Sequence, residues 1–343
     1  MSASLSVRVS PGAGTCAVSA KMLRQWCTPK VILVVTSLSD ELVILPHAIR
    51  QARQCGAKVF LAHAVTPSET ASRDPRSSPD SSVPQIHEAR SVLDRMARQL
   101  RWDGIACEPL VLIGHPEVEL PSAARSCCAD RVILRFEDKP DPSQARLRVF
   151  EHLLSNIDVP TCVIGRNVSV ASPSSRLTRN ITLAVSSKSD CDIPLSFACR
   201  LAQELRANLT ILHVFEDTVR DLDRCARTPA VVASRLPILA WREAELLCPT
   251  EIKVREGSAS EEVLKYATST NQDLILLCSA GNPPTGQYWR TTAGYRILAR
   301  TECPVFVVRK QSEMASFTNV QMVSPKKILA YGENIRSTEK EMR

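Results

Sequence analysis

The chain has 343 residues, 44% of them hydrophobic, 23% charged and only 4% aromatic, which suits two globular domains with aliphatic cores and excludes a disordered or fibrous protein. Its 43 basic and 36 acidic residues leave a net charge of +7. The excess sits in the connectors: residues 1–29 hold Arg8, Lys21 and Arg24, residues 166–179 hold Arg166, Arg176 and Arg179, and neither stretch has an acid.

In chain order, residues 1–29 read as a flexible, Ser-rich arm without the apolar h-region of a secretory leader. The first block then alternates short apolar β-rich runs with helical patterns. Its strands are expected at Val31–Val35, Lys58–Val65, Ala106–Leu112, Arg131–Leu134 and Thr161–Gly165, and its helices near 41–55, 84–101, 116–128 and 144–155. Between them Pro67–Pro84, rich in Ser, Pro and Asp, reads as a loop. Val168–Thr178 is a linker. The second block places strands at Ile181–Val185, Leu209–Phe215, Glu251–Val254, Leu274–Leu277 and Val305–Val308, with helices near 191–206, 232–247, 259–269 and 289–299. The tail after Lys310 has weak periodicity and mixed charge.

Strands without clean alternation, separated by helices, predict a parallel sheet covered on both faces. No run reaches the ~18 apolar residues of a membrane span. The two folded blocks are together close to neutral, which argues against a basic face for nucleic acid.

The 13 cysteines form no CxxC pair, and several sit in apolar patterns. That usage reads as structural thiols in a reducing cytoplasm. The histidines have no metal-ligand spacing with Cys or Asp, so no metal is expected.

The two blocks repeat one another. Ala57-Lys-Val-Phe-Leu-Ala-His63 matches Ala207-Asn-Leu-Thr-Ile-Leu-His213, and Val111-Leu-Ile-Gly114 matches Val254-Arg-Glu-Gly257. Asp130-Arg-Val-Ile-Leu134 matches Asp273-Leu-Ile-Leu-Leu277, and Asp158–Ile164 matches Glu302–Val308. In an open α/β sheet, ligands bind beyond the carboxyl ends of the strands, at the switch in strand order.

This pattern resembles the universal stress protein family, as two tandem copies over about residues 28–165 and 180–309. The motifs that carry the likeness are Val254-Arg-Glu-Gly257-Ser-Ala-Ser-Glu-Glu-Val-Leu264, Asp273–Leu277 and Cys303-Pro304-Val-Phe-Val-Val308. Their counterparts in the first block are Gly114-His-Pro-Glu-Val-Glu-Leu120, Asp130–Leu134 and Pro160. The resemblance implies two Rossmann-like doubly wound domains, each a five-stranded parallel sheet in the order 3-2-1-4-5 with helices on both faces. It divides the chain into an arm (1–29), domain 1 (30–165), a linker (166–179), domain 2 (180–309) and a tail (310–343). It also implies that Thr161–Gly165 and Val305–Val308 pair antiparallel as edges, giving a pseudo-dimer within one chain.

ATP-binding members of that family carry an Asp after strand 1 and a Gly-x2-Gly-x9-Gly-Ser/Thr loop after strand 4. Domain 2 places Ser186 at the Asp position and Cys278, Gly281, Thr291 and Thr292 at the four loop positions. Domain 1 places Thr36 at the Asp position, Arg135 at the first Gly, and Leu147 and Arg148 at the last pair. A side chain in place of glycine blocks the close backbone approach a phosphate needs. Nucleotide binding is therefore expected to be lost in domain 1, and ATP is a candidate cofactor for domain 2 alone.

Bland roles compete at each position. Gly281–Gly286 reads as an ordinary turn, Thr291 and Thr292 as helix caps, and Arg135 as a solvated loop arginine. Tyr288 and Trp289 read as packing over a helix. Gly114 and Gly257 serve strand-to-helix turns, and His63 and His213 share a structural position. No GxSxG, HExxH or P-loop motif occurs. The expectation is a non-enzymatic, cytoplasmic stress-response protein that acts by binding a protein partner or as a homodimer, the alternative being a nucleotide sensor through domain 2.

Overall fold

The computed structural model describes residues 5–8, 28–66, 83–136, 145–157, 159–168, 178–185, 192–215, 248–279 and 292–309. After a short strand β1 (Leu5–Arg8), domain 1 runs β2 (Val31–Val35), α1 (Glu41–Cys55), β3 (Lys58–Val65), α2 (Val83–Trp102), β4 (Cys107–Ile113), α3 (Pro116–Ser126), β5 (Arg131–Arg135), α4 (Ala145–Asn156) and β6 (Thr161–Ile164). Domain 2 runs β7 (Asn180–Val185), α5 (Asp192–Leu205), β8 (Asn208–Phe215), β9 (Thr250–Glu256), α6 (Ala259–Ser269), β10 (Leu274–Ser279), α7 (Ala293–Arg300) and β11 (Val305–Arg309). The loop at 67–82, the helix expected near 232–247, most of the linker and the tail lie outside the described residues.

The strands form one sheet in the order β1-β9-β8-β7-β10-β11-β6-β5-β2-β3-β4. Each domain therefore has the order 3-2-1-4-5, with every internal pairing parallel. The domains join through β6 and β11, which pair antiparallel with Phe306 opposite Cys162.

The two-residue period of the strands divides the core between the two faces of the sheet. Ile32, Val34, Ile133, Cys162, Leu276 and Phe306 point to the layer holding α1, α2 and α5. Leu33, Val132, Leu134, Val163, Ile275 and Val305 point to the layer under α3, α4, α6 and α7. Both layers draw side chains from both domains.

The seam has specific contacts beyond the ladder. The Arg131 guanidinium lies 4.9 Å from the centre of the Phe306 ring, and donates to Gln51 Oε1 at 3.0 Å. The carbonyl of Leu298 would lie 2.9 Å from a Cβ on Gly165. Asn167 Nδ2 donates to the carbonyls of Ala299 and Arg300 at 3.4 and 3.3 Å.

Asp130 and Asp273 explain one repeated motif. Asp130 Oδ2 accepts from the backbone N–H of Lys30 and Val31 at 2.8 and 3.0 Å. Asp273 Oδ2 accepts from Arg179 and Asn180 at 2.8 and 3.1 Å. Each carboxylate thus fastens the start of its domain's central strand.

One strand departs from the sequence reading. Leu5–Arg8, placed by sequence in a flexible arm, pairs antiparallel with the outer edge of β9, Leu5 opposite Val254 and Val7 opposite Ile252. Four residues are too short to show a periodic signal, and the partner edge is nearly 250 residues away in the chain.

Candidate functional site

The expected site of domain 2 lies beyond the carboxyl ends of β7 and β10, the two strands flanking the switch in order. Cys278 is the penultimate residue of β10, half-buried and in register with Val308 of β11. Thr292 is the N-cap of α7, and its Oγ1 accepts from the Tyr295 N–H at 3.2 Å. The structure thus gives Thr292 its capping role directly. Ser186, Gly281 and Thr291, with Tyr288 and Trp289, lie outside the described residues.

Strand register corrects one equivalence. Val31 pairs with Lys58 and Asn180 with Asn208, while Ile32 pairs with Arg131 and Ile181 with Leu274. Position 32 of domain 1 therefore corresponds to 181 of domain 2, and Thr36 corresponds to Val185. The counterpart of Ser186 is Ser37. The sequence aligns Thr36 with Ser186 because β2, Val-Ile-Leu-Val-Val, is a uniform aliphatic run in a sheet covered on both faces, so a one-residue slip leaves its pattern unchanged.

The paired histidines obey the corrected register. His63 Nδ1 donates to the Thr36 carbonyl at 2.8 Å. His213 makes the equivalent hydrogen bond to the carbonyl of Val185, and burial lowers its pKa against that bond. His213 is 2% exposed, sits edge-on to Phe215 with centroids 4.7 Å apart, and its Nε2 has no hydrogen-bond partner among the described residues. A ring that donates from Nδ1 and stays neutral holds a lone pair on Nε2. Domain 2 therefore keeps one buried acceptor at the carboxyl end of β8, next to the central strand.

Domain 1 closes the same corner from within. The Thr36 hydroxyl lies 2.8 Å from Oδ1 of the buried Asp40 and 2.7 Å from the Ser37 carbonyl. Arg135, read from sequence as a solvated loop residue, is instead the last residue of β5, half-buried and in register with Ile164. After it, Phe136 turns into the core at 2% exposure. Its ring packs 4.7 Å from Phe150 of α4 and 5.7 Å from Tyr295 of α7. Leu147 and Arg148 lie in the first turns of α4, four residues or fewer from its start. Phe136 was the residue the sequence reading missed. The signal was a large aromatic directly after a repeated strand, in a chain with only seven phenylalanines.

Gly114 and Gly257 have φ of 144° and 137°. A Cβ on Gly114 would come within 2.8 Å of Glu119, and one on Gly257 within 3.2 Å of Glu262. Both glycines let the following helix fold its own glutamate back over the turn, which is a local structural use.

The family model for the universal stress protein family matches residues 29–165 and again 178–309. The chain belongs to the universal stress protein family. A universal stress protein from Archaeoglobus fulgidus DSM 4304 shares its fold with a TM-score of 0.60 at 17% identity, covering 83% of this chain and 97% of the other. A functionally unknown protein from Pseudomonas aeruginosa PAO1 gives 0.53 at 14% identity, over 92% and 99%. A putative universal stress protein from Pseudomonas aeruginosa UCBPP-PA14 gives 0.53 at 15%, over 91% and 99%. No curated protein matches the chain.

In this tandem universal stress protein a well-formed cavity lies elsewhere. About 560 Å³ opens between Thr28, Gln54, Cys55, Arg179, Glu204 and Arg206, at the starts of β2 and β7. Ligands of open α/β sheets bind at the opposite ends of the strands. Among the described residues no group of three His, Cys, Asp or Glu side chains is placed to hold a metal, and no helix is long and apolar enough to cross a membrane.

Proposed function

We propose that this chain is a non-enzymatic regulatory member of its family, acting in the cytoplasm by binding another protein, with nucleotide binding lost from domain 1. The observation that carries this reading is Phe136. Where a phosphate loop needs glycine and open space after the fourth strand, domain 1 has Arg135 and then a buried ring locked between Phe150 and Tyr295. A Cβ at either position keeps the backbone from approaching a phosphate, and moving Phe136 would open the core shared by both domains. The Thr36 hydroxyl, one residue before the position of the family's carboxylate, is also engaged, by Asp40.

Isothermal calorimetry with ATP tests it. The expected result is no saturable heat in the micromolar range. A dissociation constant there, abolished by substitutions in domain 1, would overturn it.

A second reading is a nucleotide sensor working through domain 2 alone, with Gly281, Thr291, Thr292, Cys278 and Ser186 around the ligand. The buried Nε2 of His213, without a partner among the described residues, favours it, since an acceptor so placed is satisfied by a donor arriving from outside. Under this reading ATP binds with one site per chain, and the Gly281→Val, Thr292→Ala double variant loses it. Unchanged binding by the double variant, or none by the wild type, removes the sensor.

A further inference from the structure

The sheet has two ends, and they are built differently. On β4 the carbonyl of Ala106 accepts from Val59 and the Gly114 N–H donates to Val65. A parallel ladder alternates, so Glu108, Leu110 and Leu112 turn their N–H groups inward to β3. Cys107, Pro109, Val111 and Ile113 turn theirs outward, and at Pro109 there is no N–H. On β9 the same bookkeeping, from Leu209 N to Pro249 O and Gly257 N to Phe215 O, turns Thr250, Ile252, Val254 and Glu256 outward.

Gly114 corresponds to Gly257, so Pro109 corresponds to Ile252. Ile252 is the residue that faces Val7 of β1, in the position where an antiparallel pair exchanges both hydrogen bonds. The outer edge of domain 1 thus carries a proline at the point where the edge of domain 2 receives a strand. Proline on an outward edge position is a block to strand addition. The edge of domain 2 has no such block. Its cover is four residues of the chain's own N-terminus, against seven in β9.

We propose that the β9 edge is a self-association surface, that its occupant is the β9 edge of a second copy of this chain, and that β1 is the displaceable cover that keeps copies apart. An antiparallel pair of identical strands is two-fold symmetric and closes on itself. With Ile252 opposite Ile252 of the partner subunit, Glu251 falls opposite Lys253 of the partner subunit, and the reverse pair repeats the contact. Two opposite-charge cross-strand pairs favour that register. Both side chains are only half-buried beside α6, where Lys253 lies 5.2 Å from the Tyr266 ring. Because Pro109 closes the other end of the sheet, the assembly stops at two copies. The chain already joins its own domains by antiparallel pairing of edge strands, β6 with β11.

The test uses the full chain. Val7→Pro removes the N–H that β1 donates to the Ile252 carbonyl and releases the cover. Sedimentation velocity and light scattering should find the wild type as single chains and the Val7→Pro variant at twice the chain mass. A chain lacking residues 1–10 should behave like Val7→Pro. Adding Lys253→Glu places like charges opposite each other and should weaken the dimer about tenfold. The swap Glu251→Lys with Lys253→Glu should restore it. Four results would overturn the proposal: both uncovered variants staying single chains, a wild-type dimer that Val7→Pro abolishes, species larger than two copies, or charge substitutions without effect.

Discussion

The ring of Phe136 in domain 1 meets the ring of Tyr295 in domain 2 edge-on, centroids 5.7 Å apart and planes at 84°. The contact joins the residue that fills the first domain's ligand corner to the last helix of the second domain. Edge-to-face pairs contribute about 0.5–1.5 kcal/mol beyond the area they bury. Phe136→Ala is expected to cost about 3–5 kcal/mol in a denaturant melt. In a double-mutant cycle with Tyr295→Leu the coupling should fall in the range of an aromatic pair. Simple additivity would show that the two domains do not communicate through these rings.

Gly165 tests the same seam from the backbone. A Cβ there would stand 2.9 Å from the Leu298 carbonyl, which is closer than real contacts allow and is backbone on both sides. Gly165→Ala should therefore push α7 away from β6 and lower stability by about 1–3 kcal/mol, the usual cost of overpacking. Hydrogen exchange should rise at β6 and β11 more than at β2 or β7. A neutral substitution would mean that α7 can shift freely.

The sequence made the architecture legible because its signals are redundant. The bounds of α1, β2, β3 and α6 fall where apolar runs meet Gly56, Thr36 or Asn271. The β6–β11 seam followed from recognising two copies of a unit whose edges pair. What failed has physical causes. The register slip between Thr36 and Ser37 occurred in an aliphatic strand with no polar marker. β1 was invisible because its partner is remote. The closure of the first corner by Phe136 depends on a contact with the other domain, which periodicity within one domain cannot carry. Of the five candidate ligand residues, Cys278 and Thr292 are described and lie at the expected ends of their elements.

Asp130 and Asp273 should be equivalent in stability terms. Each accepts two backbone N–H groups through one carboxylate oxygen at the start of a central strand. Hydrogen bonds to charged groups contribute about 1.5–3 kcal/mol. Asp130→Ala and Asp273→Ala are each expected to cost about 2–3 kcal/mol by urea denaturation, because two donors lose their partner. A cost near zero for either would show that water replaces the carboxylate.

His47 predicts a loss of stability in mild acid. It is buried in α1, accepts from Arg50 Nη2 on Nδ1 at 3.2 Å, and leaves Nε2 without a partner among the described residues. Burial, aided by the Arg50 charge, lowers its pKa from 6.5 to about 4. The unfolded chain therefore takes up the proton first as pH falls. The stability due to the neutral native ring is full above pH ~6.5 and is lost progressively down to about 4, a difference of about 3 kcal/mol. His213, also lowered by burial, acts with the same sign. Melts at pH 7 and pH 4.5 should show a smaller drop in His47→Leu than in the wild type. An equal drop would place the acid sensitivity in other groups.

Cys248 should be the most reactive of the thiols whose surroundings shift them. A hydrogen bond from Cys199 favours its thiolate. Burial opposes it, and a further bond with Thr250, whose Oγ1 is 3.5 Å away, adds to the first; the balance pulls its pKa below that of an ordinary thiol. Burial drives the others the opposite way, Cys107 to about 12 and Cys127, Cys162 and Cys303 to about 11. Thiolate is the nucleophile, so at pH 7 Cys248 holds more of it than those four, which are mostly protonated. Iodoacetamide labelling with peptide mapping should modify Cys248 well before Cys107, Cys127, Cys162 and Cys303, with a rate whose pH midpoint lies below that of an ordinary thiol. Cys199→Ala should move that midpoint upward, because it removes the largest stabilising contact, and Thr250→Val should move it less. If Cys248 labels no faster than Cys303, or its midpoint ignores Cys199→Ala, the Cys199 thiol is not the donor that holds the charge.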